Sequence, residues 1–286
     1  MTQTHARWNM ANFWRHNVFF LWHPVMALIL ILVFSFYLRL TGRRHHNATG
    51  YSASFLQQTY FTLALLMFYL AMGSPIRLAA EHYLFSAHML QYALLTMVIP
   101  PLFLLGLPEA LLARVWHHGT WSRLLAGVTN PVVAILLFNI VFAGFNYPPL
   151  LDVSLLSGWL YILESYVVLI LAITMWWPIL APLPVKGFTP SDSWDQDHIE
   201  LGMVSRIYQL MYIFFNFALM MLVWFYIIDT HVAFYSFYVH APRLLSLTPL
   251  ADQQLGVVIL EAFMGLGFVV AFVASYSRYD DSHWYD

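Results

Sequence analysis

Apolar runs as long as a bilayer crossing recur from one end of this chain to the other. The first is "VFFLWHPVMALILILVFSFYLRL", Val18 to Leu40. A hydrocarbon core about 30 Å thick takes roughly 20 apolar residues as a helix, and inside it only helices or closed barrels satisfy their own backbone groups. The runs are long and lack strict alternation, which selects helices over barrel strands. Charged residues make up 9% of the chain, against roughly 25% in a soluble domain, so a water-exposed surface cannot be built. The expectation is an all-α polytopic membrane protein, one integral membrane domain over 1–286, with seven spans near 18–40, 55–73, 83–105, 130–148, 155–181, 203–229 and 254–275.

Val18 to Leu40 exceeds the apolar core of a cleavable signal and is followed by no small-residue cleavage site, so it reads as a permanent span. No internal repeat is visible, which argues against transporter folds made of duplicated halves. On alternate sides of the seven spans, Arg7, Arg15, Arg77 and Arg243 give four cations and the remaining eight Lys and Arg lie opposite. The positive-inside rule then puts the N-terminus outside and the C-terminus in the cytoplasm. A net charge of −2 and the membrane composition give no nucleic-acid groove.

The chain contains no cysteine, which excludes disulfides, thiolate metal sites and a Cys nucleophile; soft-metal chemistry must come from Met and His. The third span carries Glu81, His88 and Tyr92 on one helical face with Gln91 beside them. The fifth carries Ser157, Tyr161, Glu164 and Ser165 on one face. Glu261 falls about two turns into the last span, His23 near the outer end of the first, and His82 at the interface before the third. Asp252, Gln253 and Gln254 occupy the outer rim with Asp229 and His231. Polar side chains in a membrane face other helices and mark function, or serve as packed hydrogen-bond partners. Both readings stand for His88 and Glu164, and core packing is the plain reading of Met72 and Met89. Pro100-Pro101 is expected to kink or end its helix. His45-His46, His117-His118 and the stretch Ser191 to Glu200 read as hydrated loops.

Five segments taken together, "GSP" (Gly73 to Pro75), "LFSAHMLQ" (Leu84 to Gln91), "IPPLFLLGLP" (Ile99 to Pro108), "MWWPIL" (Met175 to Leu180) and "LADQQLG" (Leu250 to Gly256), resemble the Bacillus-type CtaG family of cytochrome c oxidase assembly factors over roughly residues 60 to 265. The resemblance implies a seven-helix protein of the bacterial plasma membrane. It would not be an enzyme, and would help assemble a haem-copper oxidase by supporting copper insertion from the extracytoplasmic half. Its partners would be membrane lipids, oxidase subunits and a copper donor protein. The family's membrane histidine corresponds to His88, with His82, His23 and Met89 as further candidate copper ligands. Relatives carry additional histidines where this chain has Tyr92, Tyr161 and Ser165. That difference supports an alternative, a permanent accessory subunit of a terminal oxidase or respiratory supercomplex. Haem held by His23 and His88 is not favoured, since no further His pair accompanies them.

Overall fold

The computed structural model describes residues 22–41, 52–108, 111, 124–125, 127–180 and 198–280. The expected hydrated pairs His45-His46 and His117-His118 and the loop 191–197 lie outside them, as do Arg7, Arg15, Arg43, Arg44, Arg114, Arg123 and Lys186, which enter the orientation count. Among the described residues the chain is helical and forms no strand.

Helix α1 spans Pro24–Thr41 and α2 spans Phe55–Gly73. A capping box starts α2: the Ser54 hydroxyl accepts from the Gln57 N–H at 3.2 Å, and the Gln57 side chain accepts from the Ser54 N–H at 2.8 Å. The "GSP" segment ends α2 and starts the short α3, Pro75–His82. Ser74 donates to the Leu70 carbonyl at 2.5 Å and accepts from the Ile76 N–H at 3.2 Å, while Pro75 takes a first-turn position that needs no N–H.

The third span runs from Phe85 to Gly106 and is the hub of the bundle. Two-thirds of its length (67%) is buried, against 11% for α1. It consists of α4 (Phe85–Ala93), a π-helical turn (Leu94–Val98) and α5 (Ile99–Gly106). The expected kink or stop at Pro100-Pro101 becomes this wider turn, in which the Ile99 N–H reaches back to the Leu94 carbonyl. Pro100 leaves the Thr96 carbonyl without its helical donor. The indole N–H of Trp176 supplies the bond at 2.8 Å, so "MWWPIL" and "IPPLFLLG" meet through one orphaned carbonyl.

Helix α6 spans Pro131–Phe145, with Asn130 accepting from the Val132 and Val133 N–H groups at 3.1 and 3.4 Å. The fourth expected span therefore stops short of residue 148. The chain turns by 69° into α7, Pro148–Leu156. Pro148 and Pro149 have no N–H to continue α6, and Pro148 suits the first turn of a new helix. The corner is held by the Tyr235 hydroxyl, which donates to the Asn146 carbonyl at 3.0 Å. Helix α8 follows at Gly158–Leu180, then α9 (His198–Ile228), α10 (Ser236–His240) and α11 (Pro249–Asp280).

Among the described residues, five helical stretches are long and apolar enough to cross a membrane, and the bent α6–α7 pair makes six. The sixth expected span lies in α9, whose apolar section Tyr208–Met221 is shorter than a crossing among the described residues. Helices α2, α8 and α11 pack on the Phe85–Gly106 hub, and α6 and α9 close the bundle. Since lipid is as apolar as a helix face, close backbone approach and polar contacts hold such helices together. At Gly106 a Cβ would sit 2.7 Å from the Phe61 backbone nitrogen, and at Gly256 it would sit 2.8 Å from the Phe85 ring. Tyr37 stacks on Phe61 with ring centres 3.9 Å apart and donates to the Gly106 carbonyl at 2.7 Å. Outward faces carry exposed Val25, Leu28, Leu32, Ile140, Leu266 and Val269, as lipid contact demands.

Candidate functional site

Helix α4 starts without a cap of its own, because Leu84 occupies the N-cap position and has no side-chain acceptor. The acceptor comes from α11. The Asp252 carboxylate, wholly buried, accepts from the Phe85 N–H at 2.8 Å, the Ser86 N–H at 3.2 Å and the Ser86 hydroxyl at 2.5 Å. A carboxylate at a helix N-terminus satisfies orphan donors and sits at the positive end of the dipole. Gln253 accepts from the Phe234 N–H at 2.8 Å, and Gln254 donates to the Ile228 carbonyl at 3.1 Å. The "DQQ" triplet thus pins α4 and the segment after α9. It lies in the first turns of α11, which begins at Pro249, five residues earlier than the expected 254.

One turn further along α4, a fully buried polar network joins three helices. Gln91 donates to the Ala71 carbonyl of α2 at 3.0 Å and to Met72 Sδ at 3.1 Å, which leaves its Oε1 to accept from the Tyr161 hydroxyl of α8. The single Tyr161 proton is thereby committed. His88 Nδ1 lies 3.2 Å from the same Tyr161 oxygen, so this nitrogen must donate to it. In a neutral imidazole with Nδ1–H, Nε2 carries a free lone pair. Nε2 is buried and has no hydrogen-bond partner among the described residues. The ring sits among aromatics, with centres 4.2 Å to Tyr92, 5.7 Å to Tyr161, 6.2 Å to Phe85 and 6.5 Å to Tyr238.

Tyr92 extends the network by donating to Glu164 Oε1; Glu164 Oε2 is buried and has no hydrogen-bond partner among the described residues. The Ser165 hydroxyl, also buried, donates to the Tyr161 carbonyl at 2.9 Å, one turn back on the same helix. The polar stripes expected on the third and fifth spans therefore do meet.

Other candidates fall elsewhere. Met89 is buried against Gly256. Glu81 pairs with Arg77 at 3.4 Å, and the His23 backbone N–H donates to the Gly73 carbonyl at 3.1 Å. His82 lines an open cleft of about 370 Å³ with Asp152, Ser236 and His240. Burial lowers the His82 pKa below the ordinary 6.5, opposed by the Glu81 carboxylate and assisted by Arg77. Glu261, on α11, forms no hydrogen bond with the network among the described residues. Among the described residues no three His, Asp or Glu gather as a metal cluster.

Tyr235 and Tyr238 carry no signal in the sequence, yet both pack beside α4, Tyr238 against the His88 ring and Tyr235 against Phe85. Tyr235 stacks on Phe85 at 4.3 Å, and Tyr238 donates to the Ala80 carbonyl at 2.6 Å. Burial raises the pKa of both phenols. They lie at the start of and within the short α10, where nothing in their spacing announces the contact.

Fold and site define a multi-pass helical membrane protein whose hub helix carries a buried polar network ending in an unpartnered imidazole nitrogen. The sequence model of the cytochrome c oxidase caa3 assembly factor family (Caa3_CtaG) matches residues 35–192, more than half of the chain. The chain belongs to that family. Searches of curated proteins and of solved structures return no match.

Proposed function

We propose that this chain is a non-catalytic assembly factor for a haem-copper cytochrome c oxidase that supports copper insertion from the extracytoplasmic half of a bacterial plasma membrane. Seven spans with the N-terminus outside, working as one integral membrane unit, put the His88 network in that half. The single observation that carries the reading is His88 Nε2: a buried nitrogen lone pair whose tautomer is fixed by the Tyr161–Gln91 hydrogen bonds. Fixing one ring nitrogen so that the other faces a metal is the usual arrangement around ligating histidines.

Copper here is cargo. Cu(I) accepts soft donors in low coordination number, and His88 offers one imidazole. No described residue hydrogen-bonds to His88 Nε2, so a second ligand would come from the copper donor protein or the oxidase subunit. One ligand is a weak site, which suits a factor that must release its metal.

The test is deletion of the gene followed by measurement of copper per oxidase in purified membranes. Copper loss restored by the wild-type gene and not by His88→Ala is the expected result; full copper content in the deletion strain would refute the reading. Stoichiometric co-purification with the mature oxidase in mild detergent would instead identify a permanent accessory subunit.

A further inference from the structure

Among the described residues, Glu261 is a carboxyl without a partner deep in a span. Because α11 begins at Pro249, Glu261 lies about 18 Å along the helix at 1.5 Å per residue, near the middle of a hydrocarbon core about 30 Å thick. It falls within Pro249–Val273, a stretch long and apolar enough to cross a membrane. Among the described residues it forms neither a hydrogen bond nor an ion pair, and it is only partly covered. Asp252 and Gln253 on the same helix are both fully engaged. An intramembrane carboxyl left in this state costs several kcal/mol and calls for a partner.

Positions 265, 268, 269 and 272 follow Glu261 by four, seven, eight and eleven residues and so share its face. They form one wall of an apolar groove of about 280 Å³, whose other wall on α9 includes Ile213, Phe214 and Phe217. The groove opens at Gly265, where an added Cβ would meet no atom within 4 Å. A trough with a lone acid one turn above it is the geometry a helix ridge fits when one of its side chains is a hydrogen-bond donor. An acyl chain brings no donor to this depth.

We propose that Glu261 and the α9–α11 groove dock a transmembrane helix of an oxidase subunit under assembly, one carrying a Lys, Arg, His, Asn or Gln side chain at mid-depth. The docking surface rests on the assembly-factor reading and names the chemistry of its partner. It is laterally open to the bilayer and separate from the His88 network, so the helix would be recognised without passing through the copper-handling region.

The experiment uses the full chain in its native membranes with p-benzoylphenylalanine in place of Phe272, which is 45% exposed on the groove. After irradiation, the adduct is purified and its cross-linked peptide identified. The expected adduct joins a transmembrane segment of an oxidase subunit with a donor side chain within two turns of the cross-link. Glu261→Ala lowers its yield about tenfold or more, and Glu261→Gln, which keeps an acceptor, lowers it less. A second cross-linker at Val269, 59% exposed, gives the same partner, so a folding failure at one position does not decide the matter. Adducts with lipid alone, with a second copy of this chain, with no partner, or with a yield indifferent to Glu261→Ala overturn the proposal. Copper loss in the deletion strain without an oxidase adduct would remove the docking surface and leave the assembly role. An oxidase adduct with normal oxidase copper would keep the surface and remove copper insertion.

Discussion

Asp252→Ala removes a cap that α4 cannot replace. The carboxylate accepts two backbone N–H groups and one hydroxyl at 2.8, 3.2 and 2.5 Å, and all four groups are buried. Leaving a buried donor unsatisfied costs about 1–3 kcal/mol, so the two N–H groups alone account for about 2–6 kcal/mol. Part of this is returned because alanine no longer carries a buried charge, and about 3 kcal/mol of net destabilisation is the expected outcome. Asp252→Asn keeps one acceptor oxygen but turns an N–H donor toward the second site; it should cost less than alanine, about 1–2 kcal/mol. Ser86→Ala removes only the hydroxyl bond and, in a double-mutant cycle with Asp252→Ala, should show a coupling near 1 kcal/mol. Equilibrium unfolding in mixed micelles provides the values. An Asp252→Ala protein within about 0.5 kcal/mol of wild type, or indistinguishable Asn and Ala variants, would refute the capping argument.

Three further outcomes follow from the same contacts. Trp176→Phe should cost about 1–2 kcal/mol by orphaning the Thr96 carbonyl, and the loss should shrink in a Pro100→Ala background, where an N–H is restored at that carbonyl; equal losses in both backgrounds contradict the account. Gly106→Ala should destabilise more than Gly256→Ala, because the first Cβ meets Phe61 backbone at 2.7 Å and the second meets a movable Phe85 ring at 2.8 Å; an inverted order in thermal unfolding would count against it. His82 should titrate below 6.5 by histidine NMR, and Glu81→Gln should lower it further by removing the opposing anion. Its folded pKa is depressed, so the stability it contributes is complete above 6.5 and is lost as pH falls through the depressed value; a midpoint at or above 6.5 would contradict burial as the cause.

Much of this organisation is legible in the residues. Apolar length announces the spans, and the polar stripes at His88, Gln91 and Tyr92 and at Tyr161 and Glu164 are readable from helical periodicity alone, since polar groups in lipid must face one another. The Asp252 contact is not legible, because Leu84 gives no capping signal and its acceptor stands 167 residues away. The Tyr147-Pro148-Pro149 corner reads as an ending, while the same prolines suit the first turn of a second helix at 69°. Pro100-Pro101 reads as a break, and only the indole of Trp176 shows why the helix continues. Candidate ligands His82, His23 and Met89 are readable as metal-binding residue types near the outer half, but sequence does not fix which way a side chain packs: His82 lines a cleft with Asp152 and His240, and Met89 is buried against Gly256.

In the proposed function His88 Nε2, left free by the Nδ1 bond to the Tyr161 oxygen, would be the ligand that takes the copper. The most direct test of that role is a Cu(I) competition titration of the purified chain beside His88→Ala and Tyr161→Phe. Weak binding of one Cu(I) by the wild type is expected, with none by His88→Ala and affinity about 10–100-fold lower in Tyr161→Phe, where the ring loses its orienting acceptor. Equal binding by wild type and His88→Ala, or no binding by either, would contradict it.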